Sequence, residues 1–120
     1  MNYMSKPGIP QSRSSKRDIV VAKDRDIIIE AVCSYFGVTL EFLQQRTRER
    51  PVAYKRQLLM YFLVSLTTLT YKEIGDLFGM DHSTVVHSKD RVKDWLSVDH
   101  EVQADIIAIK QKILSNLDSA

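Results

Sequence analysis

The sequence predicts an all-α fold, a single bundle of about six helices, and three observations predict it. Helix breakers are rare: 120 residues hold four glycines and three prolines, and two of the prolines fall within the first ten residues. Between the breakers, apolar residues recur at three- and four-residue spacing, the period of a helix with one buried face. One stretch, TYKEIGDLFGMDHSTVVHSKDRVKDW from Thr70 to Trp95, reads as a short helix, a tight turn and a longer helix. At 44 % apolar residues the chain can bury one core.

Residues 1–22 are expected to be a mobile basic tail or linker, and residues 23–118 the folded domain. The opening MNYMSKPGIPQSRSSKR lacks periodicity and is rich in serine, proline and glycine. A first helix is expected from about Asp18 or Lys23 to Phe36, with Ile28, Val32, Tyr35 and Phe36 on its buried stripe and Gly37 as its stop. Thr39 should cap a short second helix, LEFLQQR, that turns Leu40 and Leu43 inward.

A basic segment, RTRERPVAYKRQ, comes next. Pro51 suits the first turn of a helix, so Arg46, Arg48 and Arg50 should lie in a loop running into a helix N-terminus. Free N–H groups and the positive end of the helix dipole make such a start attractive to phosphate. The helix from Val52 to Thr68 is apolar almost all round after Gln57, which marks the central helix of a bundle.

In the stretch from Thr70, that threonine and Glu73 form a capping box, and Ile74, Leu77 and Phe78 give the helix one apolar side. Gly75 is small where two helices must cross closely. Gly79 stands where the chain must bend into a left-handed turn. Asp81 is placed to cap the longer helix, whose stripe is Val85, Val92 and Leu96 with Trp95 at its edge. With Val85 inward, Ser83 and His87 face outward, flanked by Thr84 and Val86, and His82 opens the helix. This is the spacing of a helix-turn-helix, and short polar side chains at those positions suit base edges and phosphates. Asp99 should cap a last helix whose stripe is Val102, Ile106, Ile109 and Ile113, widened by Ile107 and Leu114. That helix packs on the bundle or makes a contact to a protein partner or a second copy.

The charge pattern agrees. The net charge is only +2, but Arg46, Arg48, Arg50, Lys55 and Arg56 stand against Glu49 alone between residues 44 and 57. A second cluster, Lys6, Arg13, Lys16 and Arg17, stands against Asp18 in the first 18 residues. Two basic clusters on a near-neutral body point to a localised polyanion site. A solvated charged loop and a pair of ordinary core helices are the plainer alternatives.

Other classes are disfavoured. Cys33, the single cysteine, cannot form an internal disulfide and sits among apolar neighbours. His82 and His87 are five apart and do not share a helix face as metal ligands at i and i+4 do. No carboxylate pair, Cys–His pair or nucleophile elbow stands out. An enzyme is not expected, nor a metal or cofactor. No secretion signal or membrane-length apolar run occurs, so the expected location is the cytoplasm.

From about Ile27 to Leu114 the chain resembles the C-terminal, DNA-binding domain of the bacterial replication initiator DnaA. The resemblance rests on VCSYFGVTLEFLQQR, RERPVAYKRQLLMYFLVSLT and YKEIGDLFGMDHSTVVHSKDRV, in that order. It implies a bundle similar to the Trp repressor class that binds double-stranded DNA. By position it implies that Arg50 enters the minor groove and that Asp81, His82 and Ser83 meet base edges. Thr84 and His87 would hold phosphate or backbone, as would Lys55 and Arg56 near the start of the central helix. Two departures accompany the match. The family's Gly-Gly-Arg before Asp-His is here Gly79-Met80, one residue shorter and without the arginine, a major base reader in the family. These 120 residues also hold no Gly-x-x-x-x-Gly-Lys-Ser/Thr loop, so the expectation is a stand-alone module without the ATPase domain. A protein-interaction module that has lost DNA reading is the alternative on the same fold.

Overall fold

The structure is a computed structural model that describes residues 15–119, with side chains from Asp24 to Asp118. The expected tail falls largely outside the described residues. Six helices and no strands occur among those described: α1 (Ser15–Phe36), α2 (Leu40–Leu43), α3 (Arg50–Leu66), α4 (Tyr71–Phe78), α5 (His82–Val98) and α6 (His100–Ser119). The first helix starts at Ser15, ahead of the Asp18 or Lys23 start expected.

α3 is the centre of the bundle because its apolar side chains run round most of its circumference. Leu58, Leu59, Met60, Phe62 and Leu63 are fully buried. They pack against α1 on one side, α5 on another, and α2 and α4 at the ends. Each large apolar side chain so enclosed contributes about 1.5–3 kcal/mol. The predicted stripes close the core: Ile28 and Val32 of α1, Ile74 and Phe78 of α4, Val85 and Val92 of α5, and Val102, Ile106, Ile109 and Ile113 of α6. Cys33 is in that core, and burial pushes its thiol pKa up. Ile107 and Leu114 do not widen the α6 stripe. They are 57 % and 61 % exposed, because they lie outside the arc of α6 that faces α1 and α5.

The ends of the helices follow the local chemistry. Thr39 accepts from the Phe42 N–H at 3.1 Å. Thr70 accepts from the Glu73 N–H while Glu73 Oε1 accepts from the Thr70 N–H, which closes the capping box. Asp99 accepts from the N–H groups of Glu101 and Val102. Gly37 and Gly79 end α1 and α4 at φ 68° and 64°, where a side chain is strained.

One carboxylate ties three helices together. Asp105 on α6 accepts from the Tyr35 hydroxyl of α1 at 2.6 Å and from the Tyr54 hydroxyl of α3 at 2.7 Å. The hydrogen bond to Asp105 is the main reason the Tyr35 phenol pKa is pushed up to about 12. That of Tyr54 is raised as well, first by burial and then by the same carboxylate.

Two outcomes follow from this geometry. A Cβ at Gly75 would lie 2.5 Å from the Met80 carbonyl oxygen, a backbone atom that cannot step aside. Gly75→Ala should therefore lower the unfolding free energy by about 1–3 kcal/mol in a denaturant titration. The two raised phenol pKa values mean that the folded chain keeps protons the unfolded chain starts to release near pH 10. Their contribution is complete below pH 10; that of Tyr35 is lost as pH rises towards about 12, and that of Tyr54, raised further, declines from the same starting point. Melting temperature should fall over that window, and less steeply in the Tyr35→Phe, Tyr54→Phe double variant.

Candidate nucleic-acid interface

The segment between α2 and α3, residues 44–49, has no repetitive structure of its own, so something must hold it. It is pinned from two sides. From α3, the buried Arg56 guanidinium donates to the Gln45 carbonyl at 2.8 Å and to the Thr47 carbonyl at 2.9 Å. Towards the helix-turn-helix, Arg46 donates to the Gly79 carbonyl at 2.6 Å and Gln44 donates to the Leu77 carbonyl at 2.7 Å. Those acceptors stand at the C-terminal end of α4, where the helix dipole favours a cation. Thr47 adds a local turn by accepting from the Glu49 N–H.

The pinned loop and the helix-turn-helix face each other across an open cleft of about 760 Å³. Arg46, Arg48, Arg50 and Arg56 border it on one side, with Gly79, Met80, Asp81, Thr84, Arg91 and Trp95 on the other. Five arginines and one carboxylate among the lining residues make the cleft strongly cationic. α3 begins at Arg50 itself, one residue before Pro51, and has no acidic residue in its first turn to offset the dipole. Arg50 is exposed, and its guanidinium lies 4.9 Å from the Tyr54 ring centre and 5.7 Å from that of Trp95.

The start of α5 forms the other lip. Asp81 occupies the N-cap position, but its carboxylate makes no capping bond to the backbone. It accepts instead from the Ser83 hydroxyl at 2.9 Å and lies 3.7 Å from His82 Nδ1. The expected cap is thus in place by position and not by bonding. His82, Thr84 and His87 are exposed and Ser83 is half-buried, while Val85 is fully buried. Further along α5, Asp90 and Asp94 are exposed, and Asp90 pairs with Lys89.

The structure brings several of the residues singled out in the sequence together and turns two of them another way. Arg46, Arg48, Arg50, Asp81 and Thr84 share the cleft, with His82 and Ser83 adjoining it and His87 one turn further round α5. Arg56 does not offer its guanidinium outward: it is 6 % exposed, committed to loop carbonyls, and burial pulls its pKa down. Lys55 points away from the cleft, with Nζ 5.6 Å from the Phe36 ring centre and 5.8 Å from that of Phe42. Arg91 is the residue that reasoning passed over. It stands seven positions after Thr84, two turns along one side of α5, and that spacing is the signal that could have found it.

The fold and the cleft define a class: a helical bundle whose helix-turn-helix opens on a cationic groove. The model of the bacterial DnaA protein helix-turn-helix matches residues 25–92, and the chain belongs to that family. It is 34 % identical over 106 residues to the chromosomal replication initiator protein DnaA of Caldanaerobacter subterraneus, covering 85 % of this chain and 24 % of that protein. The protein of the same name from Geobacter sp. strain M21 is 31 % identical over 112 residues, 89 % of this chain and 24 % of its own length. That of Thermomicrobium roseum is 36 % identical over 89 residues, 73 % of this chain and 19 % of its own. The chain thus spans about a fifth to a quarter of the length of these relatives. Among the described residues, no helix is long and apolar enough to cross a membrane, and no group of histidines, cysteines and carboxylates could hold a metal ion.

The commitment of Arg56 to two loop carbonyls carries its own outcome. Arg56→Met removes the donor to the Thr47 carbonyl and leaves the Gln45 carbonyl with the Thr47 N–H alone, which should cost about 1–3 kcal/mol, a loss that chemical denaturation reads. Arg48→Ala, at an exposed position without such partners, should cost less than about 0.5 kcal/mol.

Proposed function

We propose that this chain is a non-catalytic, double-stranded DNA-binding module of the cytoplasm that grips two adjacent grooves of one duplex. The observation that carries the reading is the shared cleft: loop arginines and the start of α5 line one cationic concavity although they are about thirty residues apart in sequence. α5 enters the major groove with Asp81, His82 and Ser83 at base edges, and Thr84 and His87 hold the backbone. Arg50 enters the neighbouring minor groove, and Arg46, Arg48 and Arg91 neutralise phosphates. Lys55 and Arg56 are assigned no contact with the duplex, given where they lie. Sequence selectivity rests on the short side chains from Asp81 to Ser83, because Met80 brings no bidentate donor to guanine. Asp90 and Asp94 must lie past the groove, since phosphate would repel them.

A second reading, docking of a protein or a second copy through α6, is favoured by the exposure of Ile107 and Leu114. Gel shift on mixed-sequence duplex at low salt separates the two readings, and retention of unbound duplex favours docking. For the DNA-binding reading, Arg50→Ala should weaken binding at least about tenfold, and His87→Ala less. Arg91→Ala should lower the slope of log K against log salt by about 1. An Arg50→Ala protein that binds as tightly as wild type would overturn the docking geometry.

A further inference from the structure

The family match ends at residue 92, yet the groove arginine is held in part by residues beyond it. Arg50 lies against the Tyr54 and Trp95 rings at 4.9 and 5.7 Å, and those two rings are themselves 5.7 Å apart. Tyr54 is in turn fixed by its hydroxyl, which donates to Asp105 on α6 at 2.7 Å. Asp105 also accepts from Tyr35, through its other oxygen, so the two bonds are made by separate atoms.

We infer that Asp105 and Tyr54 are positioning residues for Arg50, and that α6 serves the nucleic-acid interface through them although it lines no part of the cleft. The proposal rests on the DNA-binding reading for its purpose. An unsupported arginine on a helix start samples many rotamers and loses that freedom on binding. A guanidinium stacked on a ring whose far end is hydrogen-bonded is ordered beforehand, and preorganisation of that kind raises affinity without any new contact. Tyr54 supplies the platform, Trp95 the second wall, and Asp105 keeps the platform from swinging. Tyr35 provides an internal control: it shares the carboxylate, but its ring packs on Phe36 and it does not touch Arg50.

The test uses the full chain with four variants: Tyr54→Phe, Asp105→Asn, Tyr35→Phe and Arg50→Ala. In the unbound protein, the emission of Trp95, the single tryptophan, should shift in Tyr54→Phe and Asp105→Asn and stay put in Tyr35→Phe. On mixed-sequence duplex, Tyr54→Phe and Asp105→Asn should each bind about three- to tenfold more weakly, and Tyr35→Phe as wild type. In an Arg50→Ala background the Tyr54→Phe penalty should vanish. An equal penalty with and without Arg50, or an equal penalty from Tyr35→Phe, would reduce the network to ordinary fold stabilisation and overturn the proposal. If Arg50→Ala itself binds as wild type, the docking geometry falls. The Trp95 emission of the unbound variants then decides the positioning role alone: unchanged emission in Tyr54→Phe and Asp105→Asn overturns it.

Discussion

The interface depends on one buried cation. Arg56 reaches out of the central helix and takes the carbonyls of Gln45 and Thr47, and with them the path of a segment that has no repeating structure of its own. Apart from the Val52 and Ala53 N–H groups, which donate to the Glu49 carbonyl at the helix start, these two bonds are what α3 contributes to the course of the loop. The arrangement is expensive in desolvation, since a guanidinium gives up water when it is enclosed. Two short charge-assisted bonds offset that loss, and both bonded carbonyls belong to the loop that must be placed.

The loop is then carried to its partner by the reverse contact. Arg46 and Gln44 donate to carbonyls at the end of α4, just where Gly79 turns the chain into α5. The turn and the loop therefore hold each other, and the close approach of the Met80 carbonyl to Gly75 fixes the turn from behind. The result is two lips of a cationic cleft on a body whose net charge is only +2. Crowding arginines at the start of α3 works against the helix dipole, and the cost is bearable because most of them face solvent, which screens their repulsion. A polyanion in the cleft would relieve it.

Much of this was legible in the residues. The capping box at Thr70, the Asp99 and Thr39 caps and the glycine stops at Gly37 and Gly79 are decided within four residues of chain, and each stands as local chemistry requires. The apolar stripes of α4, α5 and α6 were equally plain, since periodicity names the buried side whatever the side is packed against. What periodicity and composition do not show has a common origin. Ile107 and Leu114 are apolar neighbours of a true stripe, and only the arrangement of α1 and α5 says where the covered arc of α6 stops. Lys55 and Arg56 are adjacent cations in a basic segment, and rotation by 100° per residue sends one to the Phe36 and Phe42 rings and the other into the interior.

By itself, then, the sequence determined the helices, their ends, the central place of α3 and the family, because those rest on short-range bonding and on the period of burial. Tertiary structure alone decided which arginines are buried against carbonyls and which face solvent, because a guanidinium's surroundings depend on how the helices pack. It likewise decided that Arg50, Tyr54, Trp95 and Asp105, drawn from three helices, make one assembly. No spacing along the chain encodes that assembly, since it exists only where α3, α5 and α6 come together.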